Sequence, residues 1–219
     1  MSEREPMTRT YRVALGVCAP IVRLWGRLDV EGLEHLPPAG PMLLVGNHDS
    51  YWDPLVIGLA AIERRQIRAL SKSSLWKIKA IGRMLDAMGQ IPIVRGSGDA
   101  AALDRAIAEL RAGACVGIFP EGTRSLGRRL RPRSGLGRLH AAVPEAPIVP
   151  VAVTGSTDIP RFPKRPRVRV RFLPPAEGLR PGETPADLAV RVLEEIRAIA
   201  PITPAGRRPR KIVAPTPEN

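Results

Sequence analysis

Along most of this 219-residue chain, short apolar runs alternate with stretches of helical spacing, and few architectures accommodate that order. The runs that read as strands are Met42 to Gly46, Ile67 to Ser71, Ile91 to Arg95, Val116 to Phe119, Ile148 to Val153 and Val168 to Phe172. Helical stretches fall between them at 54 to 65, 74 to 87, 99 to 112 and 134 to 142. A last one, at 185 to 199, is introduced by TPAD, with Thr184 as cap, Pro185 in the first turn and Asp187 three beyond the cap. Strands separated by helices pair in parallel and need helices to cover their faces. The expected fold is therefore an α/β domain over residues 31–200, with a largely parallel central sheet flanked by helices. At 44% hydrophobic residues the chain can fill one such core.

The flanks are different. VALGVCAPIV, bounded by Arg12 and Arg23, is too short to span a bilayer, and no stretch reaches the roughly 18 uncharged apolar residues that spanning requires. On a helical wheel Arg9, Arg12, Arg23 and Arg27 fall within an arc of about 60°, and Tyr11, Leu15, Cys18, Ile21, Val22, Trp25 and Leu28 take the opposite face. Residues 1–30 are thus expected to form an amphipathic helical segment, kinked or split at Pro20. Its apolar face either lies in a membrane interface as an anchor or docks on its own domain. LDVEGLEHLPPAGP reads as a turn-rich connector, and the basic, Pro-rich tail at 201–219 is expected to be disordered.

Open α/β sheets bind ligands beyond the carboxyl ends of their strands. NHDSYWD follows one strand, FPEGTRS (119–125) follows another, and GQIPIVRG (89–96) ends a third with Arg95, so three polar clusters can converge on one crevice. His48 and Asp53 have the spacing of a base and its orienting carboxylate if Asp53 starts the next helix. The same residues also suit a plain Asn-His-Asp turn that caps a helix. His35 belongs to a solvated turn and His140 to a helix surface, with no HxxxH or HExxH spacing, so no metal site is expected. The lack of a GxSxG elbow removes the best support for a serine nucleophile and leaves direct attack by a substrate hydroxyl. GSGDAA, with Gly96 and Gly98, matches a dinucleotide fingerprint, and Glu121 could supply the ribose-binding acid. Arg95 directly before the first glycine, and the late position of the unit, weigh against that reading.

Lysine and arginine outnumber aspartate and glutamate by 34 to 21, giving a net charge of +13 that calls for an anionic partner or surface. Nucleic acid, phospholipid headgroups and phosphorylated substrates all qualify. Cys18 and Cys115, far apart in apolar runs, suggest neither a disulfide framework nor a metal site.

Taken in order, VEGLEHLPPAGPMLLVGNHDSYWD, GQIPIVR, FPEGTRS and IVPVAV (148–153) resemble the four blocks of the glycerophospholipid acyltransferase family. Specifically, they resemble its bacterial 1-acyl-glycerol-3-phosphate acyltransferases, over roughly residues 28 to 155. The resemblance implies that His48 is a general base and Asp53 its orienting partner. It implies that Arg95, Glu121 and Arg124, with the Gly122–Thr123 backbone, hold the acceptor's glycerol phosphate. Lys72 aligns with a family lysine, although Ser74 stands where the family usually has an acid. The implied reaction is acyl transfer from acyl-CoA or acyl-carrier protein to lysophosphatidate, giving phosphatidate, with no cofactor, metal or acyl-enzyme. Another lysophospholipid, glycerol phosphate or an amino-lipid is an alternative acceptor. The implied place is the cytoplasmic face of the cell membrane, peripheral or monotopic, with no nucleic acid partner. The reading from a different class is a non-catalytic basic module that binds membrane or nucleic acid.

Overall fold

In the computed structural model the described residues are 6–94, 98–163 and 165–202. Arg95, Gly96 and the tail from 203 onward lie outside them. Seven strands form one sheet in the order β1-β7-β6-β2-β5-β3-β4: β1 Asp29–Glu31, β2 Met42–Gly46, β3 Ile67–Lys72, β4 Ile91–Ile93, β5 Cys115–Ile118, β6 Ile148–Thr154 and β7 Arg169–Phe172. β6, β2, β5, β3 and β4 run parallel; β7 runs antiparallel to β6 and carries β1 along with it. The largely parallel sheet expected from the alternation is therefore present, with two reversed strands at one edge.

Every residue of β2 is buried, as a strand covered on both faces must be. Met42 and Leu44 point into one core layer, and Leu43 and Val45 into the other. The first layer is closed by α1 (Arg9–Pro20) and α2 (Asp53–Ala61), with α3 (Lys79–Ala87) beside α1. The second is closed by α4 (Ala100–Arg111), α5 (Gly135–Ala142) and α6 (Pro185–Ile199). α6 starts with the capping box read from TPAD: Asp187 N–H donates to Thr184 Oγ1, and Thr184 N–H donates to the Asp187 carboxylate.

Four details differ from the sequence expectation. β1 lies inside the stretch read as a connector; three residues are too few for alternation to show, and the strand is held by pairing with β7. Its Asp29 and Glu31 face Arg169 and Arg171 across the pair, a cross-strand charge match on an edge. The helix expected at 74–87 is broken at Ile78, whose backbone is extended. Trp76, in the 3₁₀ turn Ser73–Lys77, packs against Gly82 and donates from Nε1 to Asp86 at 2.8 Å, folding that turn back onto α3. His140 is on α5 as expected but buried, close against Gly178.

The fourth difference concerns α1. The α-helix ends at Pro20, where the sequence suggested a kink or split, and the chain goes on in a wide π turn, Ile21–Trp25, closed by Gly26 N–H to Ile21 O at 2.8 Å. Tyr11, Leu15 and Val22, on the face that suited a bilayer interface, are buried in the domain core, and Trp25 donates to Ile159 O at 2.9 Å. The outward stripe is instead Val13, Val17 and Leu24, each about 70% exposed. Among the described residues no helix is long and apolar enough to cross a membrane.

Candidate active site

β2 delivers the chain to Asn47, whose side-chain amide exchanges two hydrogen bonds with the backbone of Val153, at 2.8 and 2.9 Å. The loop is thereby pinned to the end of β6. Asp53, the first residue of α2 and wholly buried, turns its carboxylate back into that loop. Oδ2 accepts from Asp49 N–H at 2.6 Å and Ser50 N–H at 2.7 Å, and Oδ1 from Ser156 Oγ at 2.5 Å. Oδ2 also lies 3.1 Å from His48 Nδ1. The two readings of NHDSYWD are thus not exclusive, because one carboxylate both closes the turn and meets the imidazole. A carboxylate facing Nδ1 favours the tautomer with the proton there, which leaves the Nε2 lone pair free to take one. Phe119 stacks on the ring, with centroids 4.4 Å apart.

FPEGTRS follows β5 and grips the backbone of His48 from both sides. Glu121 Oε2 accepts from His48 N–H at 2.8 Å, and Ser125 N–H donates to His48 O at 2.8 Å. Glu121, expected beside a substrate, is therefore buried behind the loop, and its other oxygen accepts from Arg197 at 2.5 Å. That placement also removes the ribose-binding acid of the dinucleotide reading. Arg197 grips Asp49 with both terminal nitrogens, at 2.8 and 2.9 Å, and Ser125 Oγ donates to the same carboxylate. Burial pushes the Asp49 carboxyl up, but Arg197, Ser125 and Asn47 more than reverse it and leave it below the usual aspartate range. Burial raises Glu121 as well, and there the bonds from His48 N–H and Arg197 do not restore the ordinary value.

The remaining predicted residues sit nearer the surface. Gly122 adopts a left-handed φ of 68°, and a Cβ there would meet Arg133 Nε at 2.7 Å, so this turn excludes other side chains. Thr123 is exposed. Arg124 lies over the Tyr51 ring, 3.4 Å from its centroid, which places a guanidinium beside the His48 loop. Lys72 is exposed at the end of β3, and among the described residues no bond links it to the cluster. Sequence reasoning missed the supporting roles of Asn47, Asp49, Ser125, Ser156 and Arg197. Ser156 could have been suspected because it follows a strand end in a sheet of this type, and Arg197 because it borders the apolar arc of its helix, four residues after Leu193.

Two cavities meet at Phe119, which lines both. One, beneath α1 and α2, is lined by Tyr11, Leu15, Leu55, Ala69 and Met88. The other, toward α4 and α5, is lined by Leu70, Ile93, Leu103 and Ile118, with Arg133 and Arg138. Among the described residues no three His, Cys, Asp or Glu side chains gather as a metal site would need.

A parallel sheet with a histidine–aspartate pair at its carboxyl edge is the arrangement that the sequence blocks implied, and residues 27–154 match the acyltransferase family model. The chain belongs to that family. It is similar to the 1-acyl-sn-glycerol-3-phosphate acyltransferase alpha of Bos taurus, 34% identical over 177 residues that cover 76% of this chain and 60% of that protein. It is also similar to the chloroplastic 1-acyl-sn-glycerol-3-phosphate acyltransferase BAT2 of Brassica napus, 31% identical over 64% of this chain and 43% of that protein. The chain thus spans about half the length of the curated relatives it matches. The crystal structure of a 1-acyl-sn-glycerophosphate acyltransferase from Thermotoga maritima shares the fold, with a TM-score of 0.62 at 20% identity over 87% of this chain and 81% of that one.

Proposed function

We propose that this chain transfers a fatty acyl group from acyl-CoA or acyl-carrier protein to the free hydroxyl of 1-acyl-glycerol-3-phosphate, forming phosphatidate. His48 Nε2 takes the hydroxyl proton as the oxygen attacks the thioester carbonyl. The tetrahedral adduct expels the thiolate, which receives that proton from the imidazolium. One ester forms, one thioester breaks, and a free thiol leaves. Asp53 keeps Nδ1–H directed at itself through the cycle. The single observation that carries this reading is the 3.1 Å approach of Asp53 Oδ2 to Nδ1 on a histidine whose ring and backbone are otherwise immobilised.

Both substrates bear a hydrocarbon chain, and the two cavities that meet at Phe119 suit one each. The apolar cavity beneath α1 takes the donor chain. The one with Arg133 and Arg138 takes the acceptor, whose phosphate is held by Arg124 and the Gly122–Thr123 turn, with Lys72 and Arg95 as further contacts. Interfacial binding at a cytoplasmic leaflet is supported by the exposed Val13, Val17 and Leu24 beside Arg9, Arg12 and Arg23, and by the net charge of +13.

The test is thiol release from acyl-CoA or acyl-carrier protein with lysophosphatidate, lysophosphatidylcholine and glycerol phosphate compared in parallel. Turnover with lysophosphatidate should fall by about 100-fold or more in His48→Ala. No turnover by the wild type, or a fully active His48→Ala, removes the reading. A preference for one of the other acceptors changes the substrate and keeps the chemistry.

A further inference from the structure

Arg197 lies on α6, outside the residues that match the family model, yet it reaches the middle of the site. Its two terminal nitrogens carry four N–H groups. They go to Asp49 Oδ1 and Oδ2, to Glu121 Oε1 and to Ala200 O, at 2.5 to 3.2 Å. None of these four is left to offer a substrate, and the remaining donor, Nε–H, is without a partner among the described residues but buried from solvent. The two carboxylates it bridges are those that frame the base: Asp49 follows His48 in the chain, and Glu121 accepts the His48 N–H. We infer that Arg197 is a positioning residue for His48, clamping the NHDSYWD loop to the FPEGTRS turn so that the imidazole is presented at a fixed place and angle.

The physical need for the clamp comes from charge. Asp49 and Glu121 are both withdrawn from water, and without a cation between them they must move apart or share a proton. Either change loosens the bond from Glu121 to the His48 amide. A displacement of about 1 Å at a reacting group costs on the order of 100-fold in rate. A lysine ammonium, with three donors around one nitrogen, can neutralise the two carboxylates but not reproduce the planar two-nitrogen grip on Asp49, so it replaces the clamp in part. The inference rests on the acyl-transfer reading for its kinetic consequence and on the bonds alone for its structural one.

The experiment compares Arg197→Met and Arg197→Lys with Arg191→Met, a control on the same helix that removes an equally shielded pair with Glu183. Arg197→Met should lower kcat about 10- to 100-fold with KM for both substrates within about threefold, and Arg197→Lys should recover part of the loss. Arg191→Met should lower the melting temperature and leave kcat near wild type. Amide hydrogen exchange at residues 47–50 should quicken in Arg197→Met and not in Arg191→Met. An Arg197→Met enzyme with wild-type kcat, or a kcat loss that Arg191→Met shares, overturns the inference. If the wild type itself turns over no thioester, the proposed function fails, and the exchange data alone decide on the clamp: unchanged exchange in Arg197→Met rejects it.

Discussion

Phe119 lies nearly parallel to His48, its ring tilted by 19° and its centroid 4.4 Å away, and it also forms the wall between the two cavities. One side chain therefore orients the His48 ring and separates the two candidate substrate spaces. A stacked aromatic pair is worth about 1 kcal/mol, so Phe119→Leu, which keeps the wall and loses the stack, should lower kcat about fivefold. Phe119→Ala removes the wall as well and should lower stability by about 3 kcal/mol. Steady-state kinetics and denaturant melts check both; a Phe119→Ala protein as active as wild type would show that the stack is incidental.

The cavity under α1 should act as a length gauge for the donor chain. Ala69, on β3, lines its wall. Ala69→Phe shortens the space available, and each methylene left unburied costs about 0.8 kcal/mol. The ratio of kcat/KM for palmitoyl over octanoyl thioester should fall about tenfold. An unchanged ratio would mean that the donor chain lies elsewhere.

Membrane contact should depend on the outward stripe of α1 and its π turn. The triple variant Val13→Ser, Val17→Ser, Leu24→Ser should lose cosedimentation with anionic phospholipid vesicles while keeping its melting temperature. Trp25→Asp should behave in the opposite way, because its ring stacks on Phe162 and its indole is bonded to Ile159 O. Vesicle binding by the triple variant at wild-type strength would reject the stripe as the contact.

Away from the site, the Arg191–Glu183 pair predicts a pH dependence. The bond from Arg191 draws the Glu183 carboxyl from its ordinary 4.5 down to about 2. A folded pKa below the unfolded one means that the stabilisation is complete above pH 4.5 and is lost as the pH falls toward about 2. Melting curves of wild type and Glu183→Gln should therefore differ at neutral pH and converge in acid. A gap that stays constant from pH 7 to pH 2 contradicts this assignment.

The layered fold was readable because its signal is local. β2 is apolar throughout and β6 as far as Val153, α6 announces its start in four letters, and the four blocks keep their order. What escaped depended on contacts between distant parts of the chain. β1 exists through pairing with β7, and three residues carry no periodicity of their own. The helical wheel found an apolar face on α1 and offered two destinations for it; only the packing of Tyr11 and Leu15 against the core separates them. His48 and Asp53 share one loop, and a spacing suffices to suggest them. Glu121 was legible as part of a motif and misjudged in its target, because a sequence does not say whether a carboxylate faces a ligand or a neighbouring amide. Ser156 and Arg197 reach the site across 103 and 148 residues of separation, and the local signals that mark them, a strand end and the border of an apolar arc, do not name the partner each meets.

The bridge from Asp49 and Glu121 to Arg197 also bears on biogenesis. While the protein is being synthesised, both acids emerge from the ribosome well before residue 197 does, so the segment around His48 waits for α6 to bring the cation that bridges them. Assembly of the loop around His48 is thereby tied to synthesis as far as α6, and an interrupted translation product that ends before α6 would hold every residue matched by the family model and still lack the Arg197 bridge.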